Sequence, residues 1–343
     1  MNANKQIRLW EELKNKVEYL KDCASYHEQC SSIEAIETHM SWVFLTEQHA
    51  YKLKKPIHYA FLDLRRLEAR YLNCQRELEI NQELAPNTYL SVIPLCQDIH
   101  QQYSPINGYL NGEPVDWLLK MNKFPRDLTL EQVIKRKNTV LSKIEEAAKI
   151  LVAFYQKALP ARLNAQEYIS KYKQYVINDF QTLSLPHYNL DEILIKSVYQ
   201  TLLNTLSELS SCIEQRVYEG RIIECHGDLR PEHVCLTSPP IFVDRLEFSK
   251  ELRTMDPVDE LSYLALECEL LGNAEIGAYF FETYQSITHD HPPQKLLSFY
   301  KSYRAFLRAK IAAWHLDDPR VTDPDKWLRK AKIYLEQAVL TLA

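Results

Sequence analysis

Two aspartates, Asp228 and Asp244, each follow a short apolar run within IIECHGDLRPEHVCLTSPPIFVDRLE, the stretch from Ile222 to Glu247. The apolar runs read as strands, and Gly227 supplies the permissive backbone that turns the chain out of the first one. Carboxylates at strand ends on adjacent loops converge. A pair of them suits phosphoryl transfer, one orienting an attacking hydroxyl and the other holding Mg²⁺ on nucleotide phosphates. The same stretch also carries His226, His233 and Glu247. Taken as metal ligands, His226, Asp228, His233 and Asp244 would instead build a hydrolase centre.

These residues need elements to position them. LWEELKNKVEYLKDC, within Gln6 to Cys23, has the apolar spacing of an amphipathic helix. IEAIET, SWVFLT and AYKLKKP follow as three antiparallel strands. In the third, Lys52 and Lys54 point to one face and Lys55 to the other. A long helix runs from Leu64 to Ala85 and stops at Pro86. TYLSVIPLCQD and PVDWLLKM add two strands, and beyond Lys123 the chain is helix-rich apart from the Ile222–Glu247 hairpin. The expected class is α+β in one domain over 1–343. An N-terminal helix (1–30) precedes a small antiparallel sheet lobe with one long helix (31–122). A larger helical lobe (123–343) contains the hairpin 222–247, and two such lobes leave a cleft between them.

Composition removes other classes. A formal charge of -5 gives no bulk attraction to nucleic acid or anionic lipid. No apolar run reaches the roughly 20 residues a spanning helix needs, and the polar N-terminus has no signal-peptide core, so a cytoplasmic protein off the membrane is expected. The eight cysteines contain no CxxC pair and read as reduced, mostly buried thiols. With six glycines there is no GxGxxG and no P-loop, so a nucleotide would be held by other means.

HGDLRPEHV followed by FVDRLEF resembles the H-G-D-x-H-x-x-N and I-D-x-E segments of aminoglycoside phosphotransferases and their protein-kinase-like relatives. ETHMSWVFLT, YKLKKP, RELEINQELAP and LRTMDPVDEL are similar to a bacterial family of this type whose kinase-like domain is often fused to a P-loop ATPase. The resemblance implies a two-lobed protein-kinase-like fold, ATP and Mg²⁺ as cofactors, a hydroxyl-bearing acceptor, and a P-loop ATPase as a possible associate. Carried over position by position, Asp228 is the catalytic-loop aspartate and Asp244 the metal aspartate. Lys54 is the lysine on the α/β-phosphates, with Lys52 second. Glu77 is its helix partner ahead of Glu79 and Glu83, and Thr38, His39 and Ser41 lie in the nucleotide loop. Met121, within Leu119–Asn122, falls where adenine meets backbone. His233 stands where the family has a metal-binding asparagine, a softer ligand than Mg²⁺ prefers. That departure keeps open a second reading, a nucleotide-binding pseudokinase or scaffold with little or no transfer. A small molecule is the expected acceptor.

Overall fold

Alternation along the third strand decides where its lysines go. In the computed structural model, β1 (Glu34–Glu37), β2 (Ser41–Leu45), β3 (His49–Lys54), β4 (Tyr89–Gln97) and β5 (Glu113–Asn122) form an antiparallel sheet in the order β1-β2-β3-β5-β4. Tyr51 and Leu53 enter a core with Phe44, Leu95 and Leu118, which α1 (Ala3–Leu20) completes through Leu13, Val17 and Leu20. Ala50, Lys52 and Lys54 therefore face the other way. There Leu45, Ala50, Ala85, Tyr89, Leu119, Met121 and Val243 make a second apolar cluster. The register sets Lys52 between Val43 and Leu119, and Lys54 opposite Ser41. Helix α2 (Leu67–Asn81) is shorter than the expected Leu64–Ala85. Buried Asp116 of β5 ties α1 and α2 to the sheet, accepting from Lys16 at 2.7 Å and Arg70 at 2.7 Å.

The described residues are 3–59, 62–109, 111–318 and 321–342. Their contacts separate into two units, Met1–Arg126 with Ile241–Glu251, and Asp127–Pro240 with Leu252–Ala343. The sequence reading kept all of 222–247 with the helical part. Residues 241–251 instead belong with the sheet, because the last turn of α2 and the Glu83–Leu84 segment beyond it hold them. Phe242 N–H donates to Leu84 O, Arg245 N–H to Asn81 Oδ1, and the Arg245 guanidinium to Glu83 at 2.6 Å.

The second unit holds α3 (Leu130–Lys135), α4 (Leu141–Lys157), α5 (Ala165–Leu183), α6 (Glu192–Glu208), α7 (Ser210–Tyr218), α8 (Pro257–Leu270), α9 (Ala274–Thr288), α10 (Gln294–Trp314) and α11 (Pro324–Leu342). The helical path breaks between α3 and α4. Lys137 separates them by taking a left-handed φ of 55°. The strand Ile223–Glu224 pairs with Thr254–Met255, which delivers the following His226-Gly227-Asp228 turn beside the start of α8.

That start is fixed by a buried ion network. Asp256 caps α8 by accepting from Val258 N–H, and Arg216 binds both Asp256 and Asp290 with side chains no more than 6% exposed. Removing one partner of such a network strands buried charge. Arg216→Met is expected to lower unfolding stability by about 3–5 kcal/mol in urea denaturation, through loss of one partner of a buried ion pair.

Asp259, in the first turn of α8, leaves the cap to Asp256 and is itself bound by Arg304 at 2.6 Å and by the Tyr172 hydroxyl. The thiol reading also changes in one place. Cys23 and Cys30 form a disulfide, because the short turn Cys23–Ser25 after α1 brings their Cα atoms to 5.4 Å. CxxC spacing does not reveal such a pair. The other six cysteines are thiols outside any disulfide, and all but Cys212 are buried.

Candidate functional site

In the sheet unit, charged side chains collect on the face of β3 away from α1. Glu77 of α2, 1% exposed, splits its carboxylate: Oε1 takes the ammonium of Lys52 at 2.7 Å, and Oε2 takes that of Lys54. Lys52 also reaches Asp244 Oδ1 at 2.9 Å, and Lys54 reaches Glu247 Oε1 at 2.6 Å. The spacing explains the match, since lysines two apart on a strand share a face and the acids sit three apart on one returning segment. Burial works against both ammonium groups. The carboxylates of Asp244, Glu77 and Glu247 outweigh it for Lys52, and those of Glu247 and Glu77 for Lys54, so both pKa values rise above the usual lysine range. Burial likewise opposes the Glu77 carboxylate, but Lys52 and Lys54 bring its pKa below normal.

The two lysines differ in what they face. Lys52 and Asp244 line a cavity of about 460 Å³ whose walls include Val43, Leu45, Ala50, Met121 and Val243. Lys54, with a side chain 2% exposed, is shut behind Glu247 and is not among the lining residues. The kinase register favours Lys54, whereas the geometry puts Lys52 on the cavity wall. Asp244 has its side chain 49% exposed and a left-handed φ of 58°. Non-glycine residues hold that conformation only where the surroundings impose it. Here the Tyr89 hydroxyl accepts from Asp244 N–H at 2.9 Å, and Asn81 fixes the next residue.

The other expected nucleotide residues divide. Thr38 and Met121 line the cavity. The Thr38 hydroxyl closes the β1–β2 turn by bonding Ser41 N–H and O, and Lys55 reaches Thr38 O and Glu37 from the opposite face. His39 bonds the Tyr59 hydroxyl and does not line the cavity. Ser41 is 1% exposed and lies opposite Lys54, which removes its hydroxyl from the cavity. Of the weaker glutamate candidates, Glu79 pairs with Arg76 and Glu83 with Arg245, with side chains 62% and 56% exposed.

In the helical unit, Asp228 follows a turn gripped by a carboxylate that sequence reasoning missed. Glu260 of α8, 1% exposed, accepts from Gly227 N–H at 2.6 Å, His226 N–H at 3.1 Å and the Tyr155 hydroxyl at 2.7 Å. Burial raises its pKa despite those donors. Asp228 accepts from Arg230 at 3.0 Å and from the Tyr263 hydroxyl at 3.3 Å. Burial would raise its pKa, but Arg230, His233 and Arg308 together hold it well below the usual carboxylate range. Arg230 was also missed, and its signal was available as a cation two residues after Asp228, close enough to share its charge.

Both ring nitrogens of His233, the second metal candidate, are engaged within the Asp228 loop. Nδ1 meets Asp228 O at 2.8 Å and Nε2 meets Arg230 Nη2 at 3.2 Å. The ring braces the Asp228 loop. Among the described residues no group of three or more His, Cys, Asp or Glu side chains is placed to hold a metal. Mg²⁺ does not require one, because it keeps several waters and takes one or two carboxylates with substrate phosphates. Asp244, half exposed beside a lysine, fits that limited demand.

No family model matches the chain. Uncharacterised proteins of Mycobacterium tuberculosis and Mycobacterium bovis are each 29% identical over 320 residues, which is 91% of this chain and 61% of theirs. The chain thus spans less than two thirds of the length of the curated relatives it matches. Among solved structures, aminoglycoside 2'-phosphotransferase-IIIa in its GDP complex superposes with a TM-score of 0.51 at 14% identity, covering 91% of this chain and 93% of that one. A choline/ethanolamine kinase family protein from Mesorhizobium loti also gives 0.51 at 14% identity, covering 97% and 99%. The fold is α+β and protein-kinase-like. No helix among the described residues is long and apolar enough to cross a membrane.

Proposed function

We propose that the chain is a phosphotransferase that moves the γ-phosphoryl group of ATP to a hydroxyl of a small molecule. The observation that carries this reading is the Lys52–Asp244 pair on the wall of a largely apolar cavity, with Glu77 behind Lys52. The apolar walls at Val43, Ala50 and Met121 suit a purine. Asn122 N–H and Lys123 N–H already donate to Thr88 O and Gln48 O, which leaves the backbone at Phe124 to meet the base edge. Glu77 orients Lys52 toward the phosphates, and Asp244 would hold Mg²⁺, which when bound neutralises charge on the phosphate oxygens. Asp228 orients the acceptor hydroxyl and accepts its proton as the O–P bond forms. Glu260 keeps the Asp228 loop in place through two backbone N–H groups. Positioning and electrostatics supply most of the catalysis in such a site.

Thermal-shift titration tests the nucleotide half directly. ATP with Mg²⁺ is expected to raise the melting temperature of the wild type. Asp244→Asn should abolish the additional shift that Mg²⁺ gives over ATP alone while keeping the fold, since its side chain is half exposed. An unchanged Mg²⁺ increment in that variant would remove Asp244 from the metal role.

The Arg230–Asp228 ion pair favours one alternative, a nucleotide-binding protein with little transfer, because it competes with any acceptor for the Asp228 carboxylate. ATP binding without turnover on any acceptor would support that alternative.

A further inference from the structure

The side chains around Asp228 within the helical unit describe the acceptor more closely than the fold does. Arg308 of α10 is 12% exposed, pairs with Glu267 of α8 at 3.3 Å, and stands near enough to Asp228 and Arg230 for its charge to act on both. Glu267 is shared, since the Tyr334 hydroxyl of α11 also donates to it at 2.7 Å. Lys330, one turn before Tyr334, is partly buried against two rings, with its ammonium 5.6 Å from the Trp327 centroid and 6.0 Å from that of Tyr334. The Arg308 guanidinium lies 5.5 Å from the same Tyr334 ring.

Three carboxylates, Asp228, Glu232 and Glu267, stand against three cations, Arg230, Arg308 and Lys330, but their pairing is uneven. Glu232 is taken by Arg230, and Glu267 by Arg308 and Tyr334. Among the described residues Lys330 has no carboxylate within ion-pair distance. Burial, then Arg308, lowers its pKa, as expected for an ammonium placed near another cation without a counter-ion. Arg230 Nε is also buried without a hydrogen-bond partner among the described residues. The cluster thus presents an ammonium without an ion-pair partner and an unfilled guanidinium donor. We infer that the hydroxyl acceptor carries an anionic group, a phosphate or carboxylate, that Lys330 and Arg308 hold beside Asp228. This rests on the phosphotransferase reading for the word acceptor, but the anion site stands on its own geometry.

The step balances without a further reagent. The acceptor oxygen forms a bond to γ-phosphorus as the bond from that phosphorus to the β,γ-bridging oxygen breaks, the hydroxyl proton passes to Asp228, and ADP leaves.

Two measurements on the full chain test the inference. In the first, inorganic phosphate is titrated into nucleotide-free wild type, Lys330→Gln and Lys330→Arg by calorimetry. Wild type and the arginine variant should bind, and Lys330→Gln should bind about tenfold more weakly, the scale of one charge-assisted hydrogen bond. Equal binding by all three proteins, or none, overturns the site. In the second, transfer from ATP is followed with glycerol 3-phosphate and gluconate as anionic probes, glycerol and glucose as neutral ones, and choline and kanamycin as cationic ones. Anionic probes should be used, with the phosphate and carboxylate arms separating the two chemistries. Lys330→Gln should raise their KM about tenfold, with kcat within about twofold. Preferred use of neutral or cationic probes, with KM unmoved in Lys330→Gln, sinks the anionic acceptor and leaves the phosphotransferase standing. Phosphate binding that depends on Lys330, in a chain that binds no ATP, does the reverse.

Discussion

Asp228→Asn is expected to lower kcat by about 10³-fold, within the 10²–10⁴ range for a positioned proton acceptor, while the ATP dissociation constant stays within about twofold. The asparagine keeps the shape that Tyr263 and Arg230 contact, so loss of activity would not come from a collapsed loop. Single-turnover transfer from labelled ATP and calorimetric ATP binding measure the two quantities. Normal turnover in the variant would remove Asp228 from the chemistry. The pH dependence has a definite sign. Arg230, His233 and Arg308 depress the folded-state pKa of Asp228 against the opposing effect of burial, so it stays ionised as pH falls. Wild-type kcat/KM should therefore show no acidic limb from this group between pH 8 and roughly pH 5. The stability its ion pairs contribute is fully present above the unfolded aspartate value. It is lost only as the pH drops below that value and through the folded one.

The two lysines of β3 are expected to fail in different ways. Lys52→Met should reduce transfer by on the order of 10²–10³-fold and weaken nucleotide binding, since it removes the charge aimed at the cavity. Lys54→Met should act chiefly on stability. It leaves Glu77 and Glu247, 1% and 10% exposed, facing each other without their shared cation, a change that costs about 3–5 kcal/mol for a buried pair. Urea denaturation together with nucleotide binding by the folded fraction separates the two. If folded Lys54→Met fails to bind nucleotide while Lys52→Met binds normally, the assignment is reversed.

The sequence carried much of this arrangement because its elements obey local rules. The period-two pattern of HAYKLK puts Lys52 and Lys54 on one face, and Glu77 is the glutamate that α2 turns inward. Alternation specifies a face but not depth along the strand, so it could not say which lysine meets the cavity. That depends on Glu247, which returns from far along the chain to cover Lys54. Glu260, Arg216 and Arg308 escaped notice for a related reason. Their partners, Gly227, Asp256 and Glu267, are brought to them by tertiary packing, and no spacing within a helix announces that. Thr38, His39 and Ser41 were grouped by adjacency, yet a hairpin turn sends successive side chains in different directions. Only Thr38 of the three lines the cavity.

The divided carboxylate of Glu77 ties occupancy of the cavity to the hold on residues 241–251. If a bound nucleotide drew on the charge of Lys52, as proposed, Glu77 and Asp244 would lose part of their counter-ion while Lys54 kept its hold on Glu77 and Glu247. Under the proposed function, linkage would work in both directions: whatever tightens or loosens the returning segment would change nucleotide affinity by the same factor that nucleotide changes the segment's anchoring. Asp244 and Glu247 lie on that one segment, so the group proposed to receive the metal is moored by the same charges that register the phosphates.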